Sequence, residues 1–353
     1  MDSNHQSGQV FSPVDVRERC RRVTARAESV EIVDAEVDRF ADRFVTANWR
    51  SPLLDPAHHV VGDSATTWAY TAMLDAINFG SGWFDEMGAV DGKSGYPAVA
   101  FALKRWVERC GPPTVEMLRR ADAYRVAEIL GQSMGSGSIG DWMALVARGF
   151  RQLGEWAEGR GDDAGLEGAV KSVAGVAGYR ENGGSPSAIA LVESLQSMPM
   201  FRDVWWYPEV PSREEPSCEN GEEAFRVPLL KRAQLFASDL ITATFGKWNP
   251  EDSSDLTLFS DNMLPAALRA LGILTLSEDF AGTIARGDLV RAGSRREIEL
   301  RASTVIAGER LKRAIAEAND DGSDWSMRSL DYWLWRYGRR ADVAAHRTRT
   351  PAY

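Results

Sequence analysis

Apolar residues recur every three or four positions along most of the chain, and this spacing predicts amphipathic helices over 30–48, 97–110, 121–134, 141–160 and 298–319. A further helical run covers 227–244, VPLLKRAQLFASDLITAT. Strand signals are few. The segment 201–210, FRDVWWYPEV, is rich in strand formers, but Pro208 and Pro211 restrict it to a short edge or one arm of a β-hairpin near 201–228. The polar, proline-broken stretch 211–223 reads as a surface loop of the kind that covers pockets. No internal repeat and no long Pro, Ser or Gly linker interrupts the pattern. It predicts a mostly α protein, one large helical domain over 13–353 behind a disordered start at 1–12.

Charged residues break two otherwise apolar runs. In 256–276, LTLFSDNMLPAALRALGILTL, Asp261 sits where a helix begins. Either Asp261 or Asn262 caps that helix, and Pro265 falls in its first turn, where a missing N–H does little harm. Leu264, Leu268, Leu271, Ile273 and Leu274 give it a buried face, so the carboxylate is aimed from a rigid element. A helix N-terminus also favours the ionised form. Capping alone would account for an aspartate there. In 227–244, however, Lys231 and Asp239 interrupt the apolar pattern too, and the short link between the segments lets Lys231 and Asp261 share a pocket.

Other groupings have chemical content. In LDAINF, 74–79, the spacing i, i+3, i+4 puts Asp75, Asn78 and Phe79 on one side of a helix. A ring to stack on and an amide for edge contacts suit a planar heterocycle, although Gly80 and Gly82 make an ordinary helix end the plainer reading. Trp83 follows those glycines. In LDYWLWRYG, 330–338, Asp331 and Trp335 are four apart with Tyr332 beside them, as in a packed aromatic helix or a ligand wall. The C-terminal stretch carries Arg339, Arg340, His346, Arg347 and Arg349, a solvated basic tail or a source of cations for a phosphate. GSGSIG at 135–140 fits G-x-G-x-x-G but follows a helical pattern and lacks a βαβ setting. His58 and His59 are not spaced as a helical metal pair, so no metal is expected.

Composition narrows the classes. The 353 residues include 41 Lys and Arg against 51 Asp and Glu, and a net charge of −10 argues against a protein that coats a nucleic-acid duplex. A small anionic substrate needs only local positive charge. With 44% hydrophobic and 26% charged residues the balance is that of a soluble globular protein. Cys20, Cys110 and Cys218 have no paired spacing, so the expected compartment is the cytosol. The first residues lack signal-peptide character, and no run of about 18 apolar residues suggests a membrane span.

The pair KRAQLFASDL (231–240) and LTLFSDNMLPAALRALGIL (256–274) resembles the central signature of the queuosine salvage family, itself similar to the helix-hairpin-helix DNA glycosylases. Four more blocks stand in the family's order: LDAINF, SGYPAVAFALKR at 94–105, SRREIELRAS at 294–303 and LDYWLWRYG. With His346-Arg347 and Tyr353 the resemblance runs from about residue 65 to the end. It implies an N-glycoside hydrolase that acts on queuosine 5′-monophosphate, a small nucleotide, and releases the base queuine, without a cofactor. Asp261 would stabilise the positive charge that builds on the sugar or orient the attacking water. Asp75, Asn78, Phe79, Trp83, Asp239, Asn262, Asp331, Tyr332 and Trp335 would contact the substrate, with Lys231, His346 and Arg347 as candidates for the phosphate. A 7-deazaguanine has no N7 to protonate, which leaves Asn78, Lys231 or a group on the Asp331 helix to assist its departure. Lys231 could instead act as a Schiff-base nucleophile. A DNA or RNA base-excision glycosylase would use the same acid on an extruded base, and a catalytically silent nucleoside-binding protein would use the same pocket.

Overall fold

A computed structural model describes residues 8–44, 52–62, 64–135, 137–160, 165–179, 185–208, 224–318 and 326–353. The N-terminal part holds α1 (Pro13–Thr24), β1 (Val30–Ile32) and α2 (Asp34–Arg43). Then come α3 (Ala65–Ala76), α4 (Gly95–Cys110), α5 (Val115–Arg119), α6 (Ala123–Leu130), α7 (Ser138–Glu158), α8 (Gly165–Val173) and α9 (Ala188–Leu195). Strands β2 (Val204–Pro208) and β3 (Ala224–Pro228) lead into α10 (Lys231–Ala243) and α11 (Met263–Ala270). The chain closes with β4 (Leu274–Leu276), α12 (Glu278–Ala285), α13 (Arg295–Ala318) and α14 (Met327–Gly338). The protein is mostly α, as its periodicity predicts, and one apolar cluster runs from Phe11 to Leu334.

Helices α4, α7 and α13 appear close to their expected bounds. α6 is shorter than expected, because Gly131 takes a left-handed conformation (φ +63°) and ends it. The helix expected from residue 30 starts later: Val30–Ile32 is a strand that pairs antiparallel with Leu274–Leu276, a second strand pair the periodicity does not reveal. The expected hairpin is present, with Val204 opposite Pro228 and Pro208 opposite Ala224. It takes Val227 and Pro228 from the helix expected over 227–244. The expected cover loop at 211–223 lies outside the described residues.

Order begins earlier than expected. The disordered start expected over 1–12 stops short of Phe11, which is buried and whose N–H donates to Gln196 Oε1 (2.9 Å). Ser12 and Asp15 form a capping box on α1, with Pro13 in the first turn. Residues 1–7 lie outside the described residues.

Helix α13 runs through the middle and packs against α1, α2, α11 and α14. Its enclosure explains why buried charges there all have partners. Glu299, fully buried, accepts from the N–H groups of Glu28 (3.2 Å) and Ser29 (2.8 Å), from Tyr207 Oη (2.9 Å) and from Arg295 Nε (2.8 Å). That fastens the N-terminal part and the hairpin to one helix. A Cβ on Gly338 would lie 2.7 Å from the Met263 carbonyl oxygen, so only glycine lets α14 lie this close to α11.

Candidate active site

Residues 256–260 are all buried yet belong to no helix or strand, so their backbone polar groups need partners from side chains. Three elements supply them. Gln234 on α10 accepts from the Thr257 N–H (2.8 Å) and donates to Thr257 Oγ1 (2.9 Å). Asp331 on α14 accepts from the Phe259 N–H (2.7 Å). Arg301 on α13 donates through Nε to the Ser260 carbonyl (3.0 Å). The segment ends at Asp261, whose Oδ1 accepts from the N–H groups of Met263 (2.7 Å) and Leu264 (3.0 Å). Of the two possible caps for α11, Asp261 makes the side-chain bonds and Asn262 makes none.

The same buried arginine reaches the other half of the site. Arg301 forms a two-pronged pair with Asp203, Nη1 to Oδ1 at 2.9 Å and Nη2 to Oδ2 at 2.6 Å. Asp203 Oδ2 also accepts the Lys231 N–H (3.2 Å), and its carbonyl accepts the Leu229 N–H (2.9 Å). Between them, buried Leu230 is held at φ +52°, an uncommon conformation for leucine that turns the chain from β3 into α10. Arg301 and Asp203 thus fix the segments that carry Asp261 and Lys231 against each other.

A cavity of about 310 Å³ opens where these segments meet, within the range of small-molecule sites. Lys231, Leu235, Ser238, Asp239 and Thr242 line it from one face of α10. Arg328, Asp331, Tyr332 and Trp335 line it from one face of α14, at the spacing i, i+3, i+4, i+7. Asn78 and Phe79 after α3, Tyr96 at the start of α4, Phe259, Asp261, Asn262 and Tyr353 complete much of the wall. Such an aromatic lining with a few convergent polar groups suits a flat heterocycle.

Inside it Lys231 is nearly buried and its Nζ donates to the Asn78 carbonyl (3.2 Å) and to Asn78 Oδ1 (3.2 Å). Asn78 Nδ2 in turn donates to Asp75 Oδ1 (3.2 Å). Burial lowers the Lys231 pKa, opposed first by the Asp261 charge and then by Asp75. Burial likewise raises the Asp261 carboxyl above the ordinary range, while Lys231 and the two helix N–H groups pull it back. Asp331 is pushed well up by burial, with the Phe259 N–H opposing and Asp261 adding to the shift. Two neighbouring carboxyls in unlike surroundings are a recurrent basis for dividing acid and base roles.

Asp239 is 9% exposed, and burial pushes its carboxyl up to about 7 against the pull of Lys231 and Arg328. The folded value exceeds the unfolded 3.8, so the folded protein takes up the proton more readily, and Asp239 costs stability increasingly as pH rises from 3.8 to about 7. Asp239→Asn should therefore melt above the wild type, by a margin that widens between about pH 5 and about pH 8 in calorimetry. The same margin at both pH values would contradict the burial argument.

Four of the residues expected at the site lie elsewhere. Asp75 is fully buried behind Asn78 and does not border the cavity. Trp83 is buried outside the cavity lining, because the glycines before it turn the chain: Gly80 has φ +122° and sits against the Trp142 ring. His346 is buried, its Nε2 lies 2.9 Å from Tyr353 Oη, and burial pushes its pKa down to about 3, so it is neutral and offers no positive charge to a phosphate. Arg347 is tied to Asp85 (3.1 Å) and to the Gly287 carbonyl (3.3 Å), also away from the cavity. Of Lys231, His346 and Arg347 only Lys231 borders the cavity, and from the basic C-terminal stretch Arg339 joins it there. Asn78, Phe79, Lys231, Asp239, Asp261, Asn262, Asp331, Tyr332 and Trp335 all do.

Other wall residues escape the sequence reading. Arg328 lies one turn before Asp331 on the same helix face, a spacing that could have found it. Tyr96 stands within SGYPAVAFALKR, in the first turn of an apolar helix, with no local sign of a role. His59 is a buried cavity residue whose Nε2 lies 3.0 Å from Tyr96 Oη. Among the described residues no group of three or more His, Cys, Asp or Glu side chains is placed to share a metal ion.

The family model described as queuosine salvage protein matches residues 58–353. The chain belongs to this family. It is 30% identical over 348 residues to a Sphaerobacter thermophilus protein named queuosine 5′-phosphate N-glycosylase/hydrolase, an alignment that covers 94% of this chain and 96% of the relative. Proteins of the same name from Mus musculus (32% over 142 residues, 37% of this chain and 42% of the relative) and Bos taurus (28% over 171 residues, 45% and 46%) are similar over shorter spans. As a member of the queuosine salvage family the chain has its matched region begin just before α3, so the N-terminal part with α1, β1 and α2 lies outside the family match.

Proposed function

We propose that this protein hydrolyses the N-glycosidic bond of queuosine 5′-monophosphate and releases queuine, as the names of its relatives suggest. The observation that carries the reading is Asp261: a carboxylate anchored by two helix N–H bonds on the wall of an aromatic cavity, with Lys231 the cation that most favours its charged form. Breaking a ribosyl C1′–N bond builds positive charge on C1′ and O4′. In this reading ionised Asp261 faces that charge and orients the water that captures C1′. Its Oδ1 is already fixed by the helix, which leaves Oδ2 for the sugar or the water.

The leaving base needs a proton or a hydrogen bond at an atom other than N7. Asn78 spends one of its two amide protons on Asp75 and Lys231 two of its three on Asn78, so each keeps a single N–H for a hydrogen bond. Burial shifts the Asp331 carboxyl well up, which favours its protonated form, and only its Oδ2 is engaged, by Phe259 N–H. It is therefore the donor we assign to the base. Lys231 keeps Asp261 in place electrostatically and sits where a phosphate or ribose oxygen could reach it; hydrolysis by water then needs no covalent lysine adduct.

The net charge of −10 supports a free nucleotide rather than a nucleic-acid duplex as substrate, and the free cysteines Cys20 and Cys110 suit a cytosolic setting. Incubation with queuosine 5′-monophosphate, queuosine and a damaged-base oligonucleotide, with free base read by chromatography, tests the proposal. Release from the monophosphate is expected. Release from the oligonucleotide alone would make the protein a base-excision glycosylase, and tight binding without release would make it a silent binder.

A further inference from the structure

Asp75 stands outside the cavity and takes no part in the proposed bond cleavage, yet its carboxyl is fully buried and only half satisfied. Oδ1 accepts from Asn78 Nδ2 (3.2 Å), and among the described residues Oδ2 has no hydrogen-bond partner. A buried carboxyl of this kind costs stability that an apolar side chain of the same shape would not. Its contribution therefore lies in the one bond it makes.

That bond decides which way the Asn78 amide faces. An amide can turn over and exchange its oxygen with its nitrogen, but here the partners select one arrangement. Lys231 Nζ can only donate, so the atom 3.2 Å from it is the oxygen. The nitrogen is thereby turned to Asp75 Oδ1, which accepts. Burial raises the Asp75 carboxyl well above the ordinary range, and a proton held there would sit on Oδ2, so either charge state fixes the amide in the same way. Nζ gives a second N–H to the Asn78 carbonyl (3.2 Å), which leaves its third for the cavity that Lys231 borders.

Both ends of this chain of bonds are rigid. Asp75 lies in the last turn of α3, Lys231 opens α10, and the two helices pack together. Arg232, the next residue, donates through Nη1 to the carbonyls of Ala76 (2.7 Å) and Asp75 (3.4 Å), with its guanidinium over the rings of Phe79 (5.1 Å) and Phe201 (4.7 Å). The end of α3 is thus held against the residues that follow β3.

We propose that Asp75 is a positioning residue for the reaction: by fixing the Asn78 amide it holds the Lys231 ammonium on two oxygens and leaves the third N–H to the cavity that Asp261 also borders. Without Asp75 the amide is free to turn its nitrogen towards Nζ, donor against donor, and the ammonium loses one of its acceptors. The effect on turnover rests on the hydrolase reading, whereas the seating of the ammonium does not.

Carbon-13 NMR of protein labelled at lysine Cε, with the Lys231 signal assigned by its loss in Lys231→Met, reads that seating without substrate. A hydrogen bond to the ammonium favours its charged form, so Asp75→Leu is expected to move the Lys231 titration to lower pH. Asp75→Asn keeps an oxygen for Asn78 and should stay nearer the wild type. In turnover of queuosine 5′-monophosphate, Asp75→Leu should lower kcat about tenfold, the scale of one hydrogen bond to a charged group, and Asp75→Asn should recover to within about threefold of wild type. Asn78→Leu cuts the same chain from its other side, so the two leucine substitutions together should fall clearly short of the sum of their separate effects. A thermal melt confirms that each variant is folded, and Asp75→Ala replaces a leucine variant that is not. An unmoved Lys231 titration in Asp75→Leu, an equal shift in Asp75→Asn, which would make the charge alone responsible, or full additivity with Asn78→Leu overturns the proposal. Wild-type protein that freed no base would sink the hydrolase reading, while the lysine titration still decided the role of Asp75.

Discussion

Asp261→Asn is expected to lower kcat by at least about 10²-fold, and as much as about 10³-fold, while queuine binding stays within about threefold of wild type. The substitution isolates the charge. Asparagine Oδ1 can accept the same N–H bonds from Met263 and Leu264, so α11 keeps its cap and the buried 256–260 segment keeps its course. What disappears is the negative charge that would face C1′ and O4′ only as the glycosidic bond stretches, an interaction made in the transition state and not in the product complex. The pH dependence follows with a definite sign. Asp261 must be ionised, and burial raises its pKa above 3.8, so activity is present above the raised value and is lost as pH falls through it. The acid limb of kcat should thus lie at higher pH than for an exposed aspartate, and it should vanish in the variant's residual activity. Near-normal turnover by Asp261→Asn in a single-turnover assay would remove this residue from the chemistry.

The second large effect concerns stability. Arg301→Met should destabilise the protein by about 3–5 kcal/mol in urea unfolding at neutral pH, the scale for breaking a buried ion pair from one side. Burial works against the Arg301 charge, but Asp203 and Glu297 more than compensate and hold its pKa above the usual range. Methionine fills much of the space yet strands both carboxylates, Asp203 at 3% exposure and Glu297 at 0%, without their ion-pair partner. It also leaves the Ser260 carbonyl without its Arg301 bond, so the Asp261 and Lys231 segments lose their common anchor. Adding Asp203→Asn to Arg301→Met should recover part of the loss, because the double variant no longer buries the Asp203 charge. A cost below about 1 kcal/mol for the single variant would show that the pair is not a structural anchor.

Much of the candidate site was legible along the chain because its residues lie on helices and stand out against an apolar pattern. Lys231 and Asp239 interrupt α10, Asp331 and Trp335 share a face of α14, and all four border the cavity. The same logic extended by one turn reaches Arg328. His346 and Arg347 mislead for the opposite reason: a terminal run of basic residues looks free to converge on a phosphate, but burial neutralises the histidine and Asp85 engages the arginine. Trp83 fails because Gly80 takes a backbone turn open to glycine and Gly82 lets the Thr348 carbonyl pack against it, neither of which side-chain spacing records.

What the order of residues decided by itself is the mostly helical class, the hairpin bounded by prolines, the helix start at Asp261 and the family, since each depends on local periodicity, capping chemistry or motif order. What only the tertiary structure decided is which charges are buried and whom they meet. Val30–Ile32 becomes a strand because Leu274–Leu276 lies beside it, the 256–260 segment stays outside any helix or strand because α10, α13 and α14 satisfy its backbone, and Tyr96 Oη finds its partner in His59 Nε2, 37 residues away in sequence. These are long-range pairings, and their energies come from desolvation and hydrogen-bond completion, which arise only when distant segments close around the same space.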